Sequence, residues 1–221
     1  MAAFHPGVED LPEAFPVFPL DGALLLPRGR LPLNIFEPRY LAMVEDALGA
    51  GRMLAMIQPG SSGQTTPAGP HLYSVGCLGR VSTFSETDDG RLLITLTGLI
   101  RFDIAAELEP RRGYRRVRGD YSRFLGDLSL TERPIGVERD ALLAALRGYF
   151  GHRKLEANWD AIKRIPDDML VVTVAMTCPF ESAEKQALLE APTDAGRAVA
   201  LLALLRMGAA TPDDPQSHRV S

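Results

Sequence analysis

The hydrophobic pattern of this chain changes near Ser129, from short apolar runs broken by prolines and glycines to longer runs with helical spacing. The first part opens with three short apolar runs, at residues 15–20, 24–26 and 31–33. Proline has no N–H to donate to a sheet, so strands of this kind are short, lie at an edge, or bend at each proline. A small barrel with bent corners accommodates such strands better than a flat sheet does.

A helix is predicted directly after these strands, at residues 38–48. Pro38 suits the first helical position, and Glu37 places a negative charge at the positive end of the helix. The apolar residues with helical spacing form the expected buried stripe, namely Tyr40, Leu41, Val44 and Leu48. A short apolar strand is predicted at residues 53–57, and residues 58–70 have the composition of a loop.

The clearest β pattern lies between residues 72 and 104. Apolar and small residues alternate with polar ones from Tyr73 to Val81. Asp89 and Gly90 then supply the positive φ angles of a tight hairpin turn, and an apolar strand follows at residues 91–102. A further strand at residues 114–121 would close the barrel.

The second part of the chain is predicted to be helical. Helices are expected at residues 135–150, 166–178, 182–191 and 193–207, with Ser182 and Thr193 as N-caps of the last two. The helix at 166–178 is apolar on all sides, which predicts a central, buried position.

These patterns predict two domains with short tails. Residues 13–122 form a β-rich barrel that contains one helix, and residues 129–208 form a helical bundle. Residues 1–12 and 209–221 are expected to be flexible tails. The fold class is therefore α+β.

Charge and composition exclude few functions. The 221 residues carry a net charge of −4, so strong attraction to nucleic acid or an anionic membrane is not expected. No apolar run has membrane-spanning length, and the first ten residues lack the features of a signal peptide. Cys77 and Cys178 are far apart and are expected to be reduced thiols. We therefore expect a cytoplasmic protein.

Several motifs in the first part resemble the Lon substrate-binding (Lon N-terminal) domain family. The matching residues are Phe18-Pro19-Leu20, Leu26-Pro27, Leu31-Pro32-Leu33, Ile35-Phe36-Glu37-Pro38-Arg39-Tyr40 and Val44. Two further matches are L-Y-x-V-G-x-x-x-R-V at 72–81 and D-G-R-x-x-x-x-x-x-G-x-x-R-F at 89–102. The resemblance implies a PUA-like β-barrel followed by an α-helical bundle.

The same resemblance limits the expected chemistry. Full-length Lon proteases of bacterial type carry an ATPase module and a Ser–Lys protease module after this region. The ATPase needs a G-x-x-x-x-G-K-[ST] loop, and this sequence has no Gly-Lys dipeptide. We therefore expect a stand-alone, non-catalytic member of the family, with no cofactor and no metal ion. Ser182 and Lys185 have the S-x-x-K spacing of acyl-transfer enzymes, but the companion motifs are missing.

Binding of protein segments is the favoured function. Lon N-terminal regions are associated with recognition of substrate proteins, so the partners would be unfolded or flexible segments and a separate protease. The candidate contact residues are Glu37, Arg39 and Tyr40. A structural explanation competes with this one, because Ile35, Phe36 and Tyr40 can be core residues and Glu37 a helix cap. The oligomeric state is left open.

An RNA-binding function is the alternative, because other PUA-like barrels bind RNA. Arginines interleaved with tyrosines lie between residues 111 and 123, and the candidate contacts are Tyr114, Arg115, Arg116 and Arg118. Strand alternation would divide these side chains between two faces, and Glu107 and Glu109 can neutralise them, so nucleic acid is disfavoured. Binding of a small molecule, or an unrecognised enzymatic activity, is the third possibility.

Overall fold

The computed structural model describes residues 6–60, 65–66, 69–131 and 134–210. Its strands are β1 (Ala14–Pro19), β2 (Arg30–Ile35), β3 (Met53–Ile57), β4 (Thr65–Thr66), β5 (Gly69–Pro70), β6 (Val75–Glu86), β7 (Leu92–Arg111) and β8 (Tyr114–Asp120). Its α-helices are α1 (Pro38–Gly49), α2 (Arg139–His152), α3 (Trp159–Lys163), α4 (Asp167–Thr177), α5 (Ser182–Glu190) and α6 (Asp194–Ala210). Short 3-10 helices lie at Val8–Asp10 and Ser122–Leu128.

Contacts divide the chain into two units. The first consists of Met1–Glu132 and Val172–Glu190, and the second of Arg133–Val171 and Ala191–Ser221. The boundary within the C-terminal helices falls inside α4. Whether residues 13–122 and 129–208 are separate domains stays a prediction, and most of the predicted tail at 209–221 lies outside the described residues. Within the described part of the chain, no helix is long and apolar enough to cross a membrane.

The first unit contains a closed β-barrel. Five strands follow one another in the order β7-β6-β3-β1-β8, and β8 pairs again with β7. β1 and β3 are parallel, and the other neighbours are antiparallel. Among the described strands β2 pairs only with β7, so it is an edge strand, where Pro32 is tolerated. The closed ring and the helices that follow it confirm the predicted α+β class.

The apolar run at residues 24–26, expected to be extended like its neighbours, forms a buried loop. Its leucines are 0–2% exposed. The loop is fixed to β7 by backbone hydrogen bonds, because the Gly98 N–H donates to the Gly29 carbonyl (2.9 Å) and the Arg28 N–H donates to the Gly98 carbonyl (2.8 Å). A Cβ atom at position 98 would lie 2.0 Å from the Leu26 carbonyl oxygen, so only glycine fits there.

Helix α1 begins at Pro38 as predicted, but its buried stripe is rotated. The buried residues are Tyr40, Ala42, Met43, Val44 and Ala47, and the predicted Leu41 and Leu48 are only half-buried. The residues with the tightest burial still recur at helical spacing. The predicted helix is therefore correct, but the centre of its apolar face is shifted by about one position from the prediction.

Phe36 is not a core residue, contrary to prediction. Its side chain is 61% exposed, whereas that of Ile35 is 1% exposed. Successive side chains at a strand point to opposite sides, so the inward position of Ile35 directs Phe36 outward. The ring lies 5.9 Å from the guanidinium of Arg91.

Two further predictions are corrected in the first unit. Residues 58–70, predicted as a loop, contain a short ribbon in which β4 pairs with β5. Ser182 was predicted to cap α5, but it is the first helical residue, and its Oγ donates to the Asp21 carboxylate (2.6 Å). The Glu184 carboxylate accepts the Glu181 N–H instead (2.9 Å).

The segment Val172–Glu190 is attached to the barrel through buried polar groups. The Gln58 amide donates to Gln186 Oε1 (3.1 Å), and the Gln186 amide donates to the Val75 carbonyl (3.1 Å). The Lys185 ammonium donates to the Gly22 carbonyl (2.6 Å). These bonds place α5 against the start of β6, which is buried on both faces from Val75 to Gly79 instead of alternating.

A buried ion pair, Arg101–Asp127, also joins the barrel to α5. Arg101 of β7 donates from Nε and Nη2 to the two oxygens of Asp127, both at 2.8 Å. Its backbone N–H also donates to Asp127 (3.1 Å), and its Nη1 donates to the Leu189 carbonyl of α5 (3.0 Å). The two side chains are only 4% and 6% exposed. One guanidinium thus connects the barrel, the 3-10 helix after it, and α5.

The second unit is helical. α2 and α6 pack along each other, and the core residues of α2 are Leu142, Leu143, Leu146 and Tyr149. The Phe150 and Trp159 rings make an edge contact at 5.8 Å. The Thr193 hydroxyl accepts the Gly196 N–H (3.0 Å), which confirms Thr193 as the cap of α6.

The Arg101–Asp127 pair leads to a stability prediction. Asp127→Ala leaves the guanidinium buried without its carboxylate, so the free energy of unfolding should fall by about 3–5 kcal/mol in urea denaturation. The double variant Arg101→Met with Asp127→Leu should recover most of this loss. Asp103→Ala is the control, because its partner Arg123 is 61% exposed, and it should cost less than about 1 kcal/mol. Equal losses for Asp127→Ala and Asp103→Ala would contradict the prediction.

Candidate functional site

Residues predicted for two different functions line one small pocket in the first unit. Arg39 and Tyr40 come from the start of α1, and Tyr114 and Arg115 come from the start of β8. The pocket has a volume of about 130 Å³, and its remaining walls are Pro19, Pro59, Gly69, Pro70 and Gly113. The sequence could not predict this meeting, because it depends on β8 closing the barrel next to β1.

Arg115 is the most buried charge of the pocket. Its side chain is 6% exposed, and its Nε donates to Glu107 (2.6 Å). Its Nη1 donates to the Pro70 carbonyl (2.6 Å). Its Nη2 is buried and has no hydrogen-bond partner among the described residues. A guanidinium thus stands at the pocket with part of its donor capacity unused.

Tyr40 lines the same pocket as Arg115. The ring packs on Phe18, with centroids 4.2 Å apart, and the Arg39 guanidinium lies 4.5 Å from the ring centre. The hydroxyl makes no hydrogen bond to the described residues. Burial raises the pKa of the Tyr40 phenol, Arg39 and Arg115 lower it, and Glu37 raises it. The phenol therefore remains a neutral hydrogen-bond donor at neutral pH.

Glu37 has a different role from the predicted one. It occupies the N-cap position of α1, but its side chain makes no capping hydrogen bond. Its carboxylate accepts from Nε and Nη2 of Arg39, at 3.0 and 2.8 Å. Because the Arg39 and Glu37 side chains are 50% and 44% exposed, the pair forms part of the rim.

Tyr114 lines the pocket and is also hydrogen-bonded to an acidic residue of α1. Its hydroxyl donates to Asp46 of α1 (2.7 Å). Burial and this hydrogen bond raise the pKa of Tyr114 to about 12. The Tyr114 hydrogen bond, together with Arg111 and Arg112, lowers the pKa of Asp46.

The arginine cluster is mostly neutralised by carboxylates. The pairs are Arg111–Asp46, Arg112–Glu45, Arg112–Asp46, Arg115–Glu107, Arg118–Glu13 and Arg123–Asp103, with N–O distances of 2.6–3.2 Å. Tyr121, interleaved with them, packs its ring on Phe15 and donates its hydroxyl to the Pro12 carbonyl (2.8 Å). The cluster therefore presents little of the unpaired charge and exposed aromatic surface that RNA binding requires.

An apolar groove forms a second surface of the first unit. It has a volume of about 450 Å³ and crosses β2, β7 and β6, with Pro32, Leu33, Asn34, Thr83, Phe84, Ser85, Leu93, Ile94 and Thr95 as its lining. Phe84 is 53% exposed and Leu93 is 46% exposed. Neither residue was predicted as a site residue from the sequence. The available signal was Phe84, a large aromatic residue inside the otherwise polar run 82–87.

Ser182 and Lys185 do not form a catalytic pair with each other in this arrangement. The Ser182 hydroxyl donates to Asp21, and the Lys185 ammonium donates to the Gly22 carbonyl. Burial lowers the pKa of Lys185, whereas the nearby Cys178 and Asp21 raise it. Both side chains hold α5 against the loop at residues 20–22.

A closed barrel with a charged pocket and an apolar groove defines an α+β domain that offers surfaces for binding. The chain belongs to the family of the ATP-dependent protease La (LON) substrate-binding domain, whose model matches residues 14–207. This match confirms the resemblance found in the sequence motifs. The name of the family describes a domain that binds substrate.

Similar proteins agree with this assignment. Lon protease 2 of Sorangium cellulosum is 35% identical over 109 residues, or 48% of this chain, and Lon protease 2 of Myxococcus xanthus is 25% identical over 112 residues, or 51% of this chain. Each match spans only 13% of the relative's own length.

Two solved structures share the fold. The Lon N-terminal domain protein from Xanthomonas campestris has a TM-score of 0.59 at 20% identity, covering 86% of this chain and 97% of that one. The N-terminal domain of Lon protease from the Mycobacterium avium complex has a TM-score of 0.56 at 18% identity, covering 87% of this chain and 97% of that one.

The raised pKa of Tyr114 leads to a pH prediction. The folded protein holds the phenolic proton more tightly than the unfolded chain, whose tyrosine pKa is near 10.0. This stabilisation is complete below pH 10 and is lost as the pH rises toward about 12. As the pH rises from about 9 to 11.5, the free energy of unfolding of the parent protein should therefore fall by roughly 1–2 kcal/mol more than that of the Tyr114→Phe variant. Urea unfolding at both pH values tests this, and equal losses in the two proteins would contradict it.

Proposed function

We propose that this domain binds protein segments without transforming them, and that it serves proteolysis as an accessory or adaptor to a separate protease. The family assignment supports binding of protein substrates. The observation that carries the proposal is the apolar groove across β2, β7 and β6, because exposed apolar surface of this kind marks interaction sites.

The shape of the groove favours an extended segment. Its lining comes from three neighbouring strands. The cross-strand rows Pro32–Thr95–Thr83 and Asn34–Leu93–Ser85 lie on one face of the sheet, and the row Leu33–Ile94–Phe84 lies on the other, so the groove follows the end of the sheet. Covering one half-exposed Phe or Leu side chain contributes on the order of 1–2 kcal/mol. Two or three such contacts contribute roughly 2–6 kcal/mol before the cost of association is subtracted, so we expect binding weaker than about micromolar.

Pairing with the edge of β2 is a smaller contribution. An extended segment can add to an exposed sheet edge through main-chain hydrogen bonds. However, Pro32 removes one N–H from the middle of β2, and proline at an edge disfavours such addition. Burial of apolar side chains, which is tolerant of sequence, is therefore the main source of affinity in this proposal.

The sequence-selected residues Glu37, Arg39 and Tyr40 remain proposed contacts at the charged pocket, which shares no lining residue with the groove. RNA binding through Tyr114, Arg115, Arg116 and Arg118 has less support, since Arg115 and Arg118 are both held by carboxylates. Its signature would be retention that depends on salt and on these arginines.

The groove proposal is tested with Phe84→Ser combined with Leu93→Ser. Binding of a fluorescently labelled, reduced and carboxymethylated model protein is measured by anisotropy, in parallel with a labelled single-stranded RNA. The double variant should weaken binding of the unfolded protein at least roughly tenfold, because two apolar contacts are lost. Both substitutions are at exposed positions, so the stability of the domain should change little.

The matched control is Leu125→Ser, since Leu125 is also 46% exposed in the same unit but lies outside the groove. It should leave binding unchanged. Unchanged binding by the double variant would overturn the groove as the binding surface. Salt-sensitive binding of RNA with no binding of unfolded protein would instead favour the RNA-binding alternative.

A further inference from the structure

We propose that the pocket between α1 and β8 is a binding site for a carboxylate group, held by the Arg115 guanidinium and the Tyr40 hydroxyl, with Arg39 at the entrance. The site is separate from the apolar groove, and the proposal does not depend on the binding of protein segments there.

The unused donor of Arg115 is the main observation. The side chain is 94% buried, and two of its three nitrogens have acceptors, Glu107 and the Pro70 carbonyl. The third nitrogen, Nη2, has none among the described residues. Buried polar groups in native proteins almost always have a partner, and a buried charged donor without one is costly. A bound acceptor removes this cost.

The second observation is the neighbouring phenol. Tyr40 lines the same pocket, and its hydroxyl makes no hydrogen bond to the described residues. The Arg115 charge is close enough to affect the ionisation of this phenol. Two donors on different elements, α1 and β8, are thus available to one ligand.

The charge balance favours a carboxylate over a phosphate. Arg115 is paired with Glu107, and Arg39 is paired with Glu37, so these four groups have a net formal charge of zero. A dianion would bring excess negative charge next to two carboxylates. A planar monoanion adds only one charge, and its two oxygens match the geometry of guanidinium donors.

The size and walls of the pocket agree with a small group. About 130 Å³ is well below the roughly 300–1,000 Å³ of sites for drug-sized ligands, so only a terminal group enters. Pro19, Pro59 and Pro70 form part of the wall and contribute no backbone N–H to it, so the donors for a ligand are side chains. A partly dry wall also strengthens the charge-assisted hydrogen bonds.

Direct binding is tested by titrating ¹⁵N-labelled protein with sodium acetate and following the arginine side-chain resonances by NMR, with sodium chloride at equal ionic strength as the reference. Acetate should cause a saturable shift of the Arg115 guanidinium resonances, and chloride should not. Tyr40→Phe keeps the ring that packs on Phe18 and should weaken acetate binding about tenfold.

Tyr73→Phe is the control, since Tyr73 lies outside the pocket and should bind acetate as the parent protein does. Arg115→Lys removes the planar guanidinium that donates to both carboxylate oxygens, so saturable binding of acetate should be lost. The backbone amide spectrum reports both binding and folding of this variant. No acetate shift, an equal shift with chloride, or full binding by a folded Tyr40→Phe variant would overturn the proposal.

Labelled peptides identify the source of the carboxylate. Three forms of one short peptide are compared: a free C-terminus, a C-terminal amide, and an amide with an internal glutamate. Binding of the first form alone indicates a chain terminus, and binding of the third indicates an acidic side chain. Acetate binding without any peptide binding indicates a free carboxylic acid. Each pattern requires Tyr40 and Arg115, and a pattern independent of both would contradict the site.

Discussion

The attachment of α5 to the barrel depends on one buried guanidinium. The Arg101 side chain is buried away from water, so its N–H groups require the Asp127 carboxylate and the Leu189 carbonyl as acceptors. A buried ion pair adds little net stability compared with an apolar pair, but it penalises arrangements that separate its members. Strand β7, the 3-10 helix that follows β8, and α5 are thereby fixed relative to one another. In this arrangement Gln186 donates to the Val75 carbonyl of β6, and Lys185 donates to the Gly22 carbonyl of the loop after β1.

The length of β7 accounts for both candidate surfaces. β7 is long enough to pair with β2 and β6 near its start and with β8 near its end. Its start therefore extends the sheet beyond the ring, where Leu93 on one face and Phe84 on the other are exposed and line the groove. Its end brings β8 back beside β1, so that Arg115 meets the first turn of α1. The groove and the pocket are consequences of the length of one strand.

Most of the fold could be predicted from local patterns, because proline spacing, a Pro38 helix start and an Asp-Gly turn act over a few residues. The pocket could not, because Tyr40 and Arg115 are far apart in sequence and had been assigned to competing functions. Phe36 was misplaced because Ile35 and Tyr40 of the same motif are buried, and only the strand alternation turns Phe36 outward. The rotated stripe of α1 has a similar cause, since burial there is set by the barrel it covers.

The distribution of charge separates the two kinds of surface. Nearly all arginines of the 111–123 region are matched by carboxylates, so the barrel has little long-range attraction for polyanions. In both proposals recognition comes from short-range interactions, namely apolar burial in the groove and the donors of Arg115 and Tyr40 in the pocket. Apolar burial tolerates many sequences, whereas a buried guanidinium selects one functional group. A domain that combines them can bind varied segments and still distinguish a particular end or side chain.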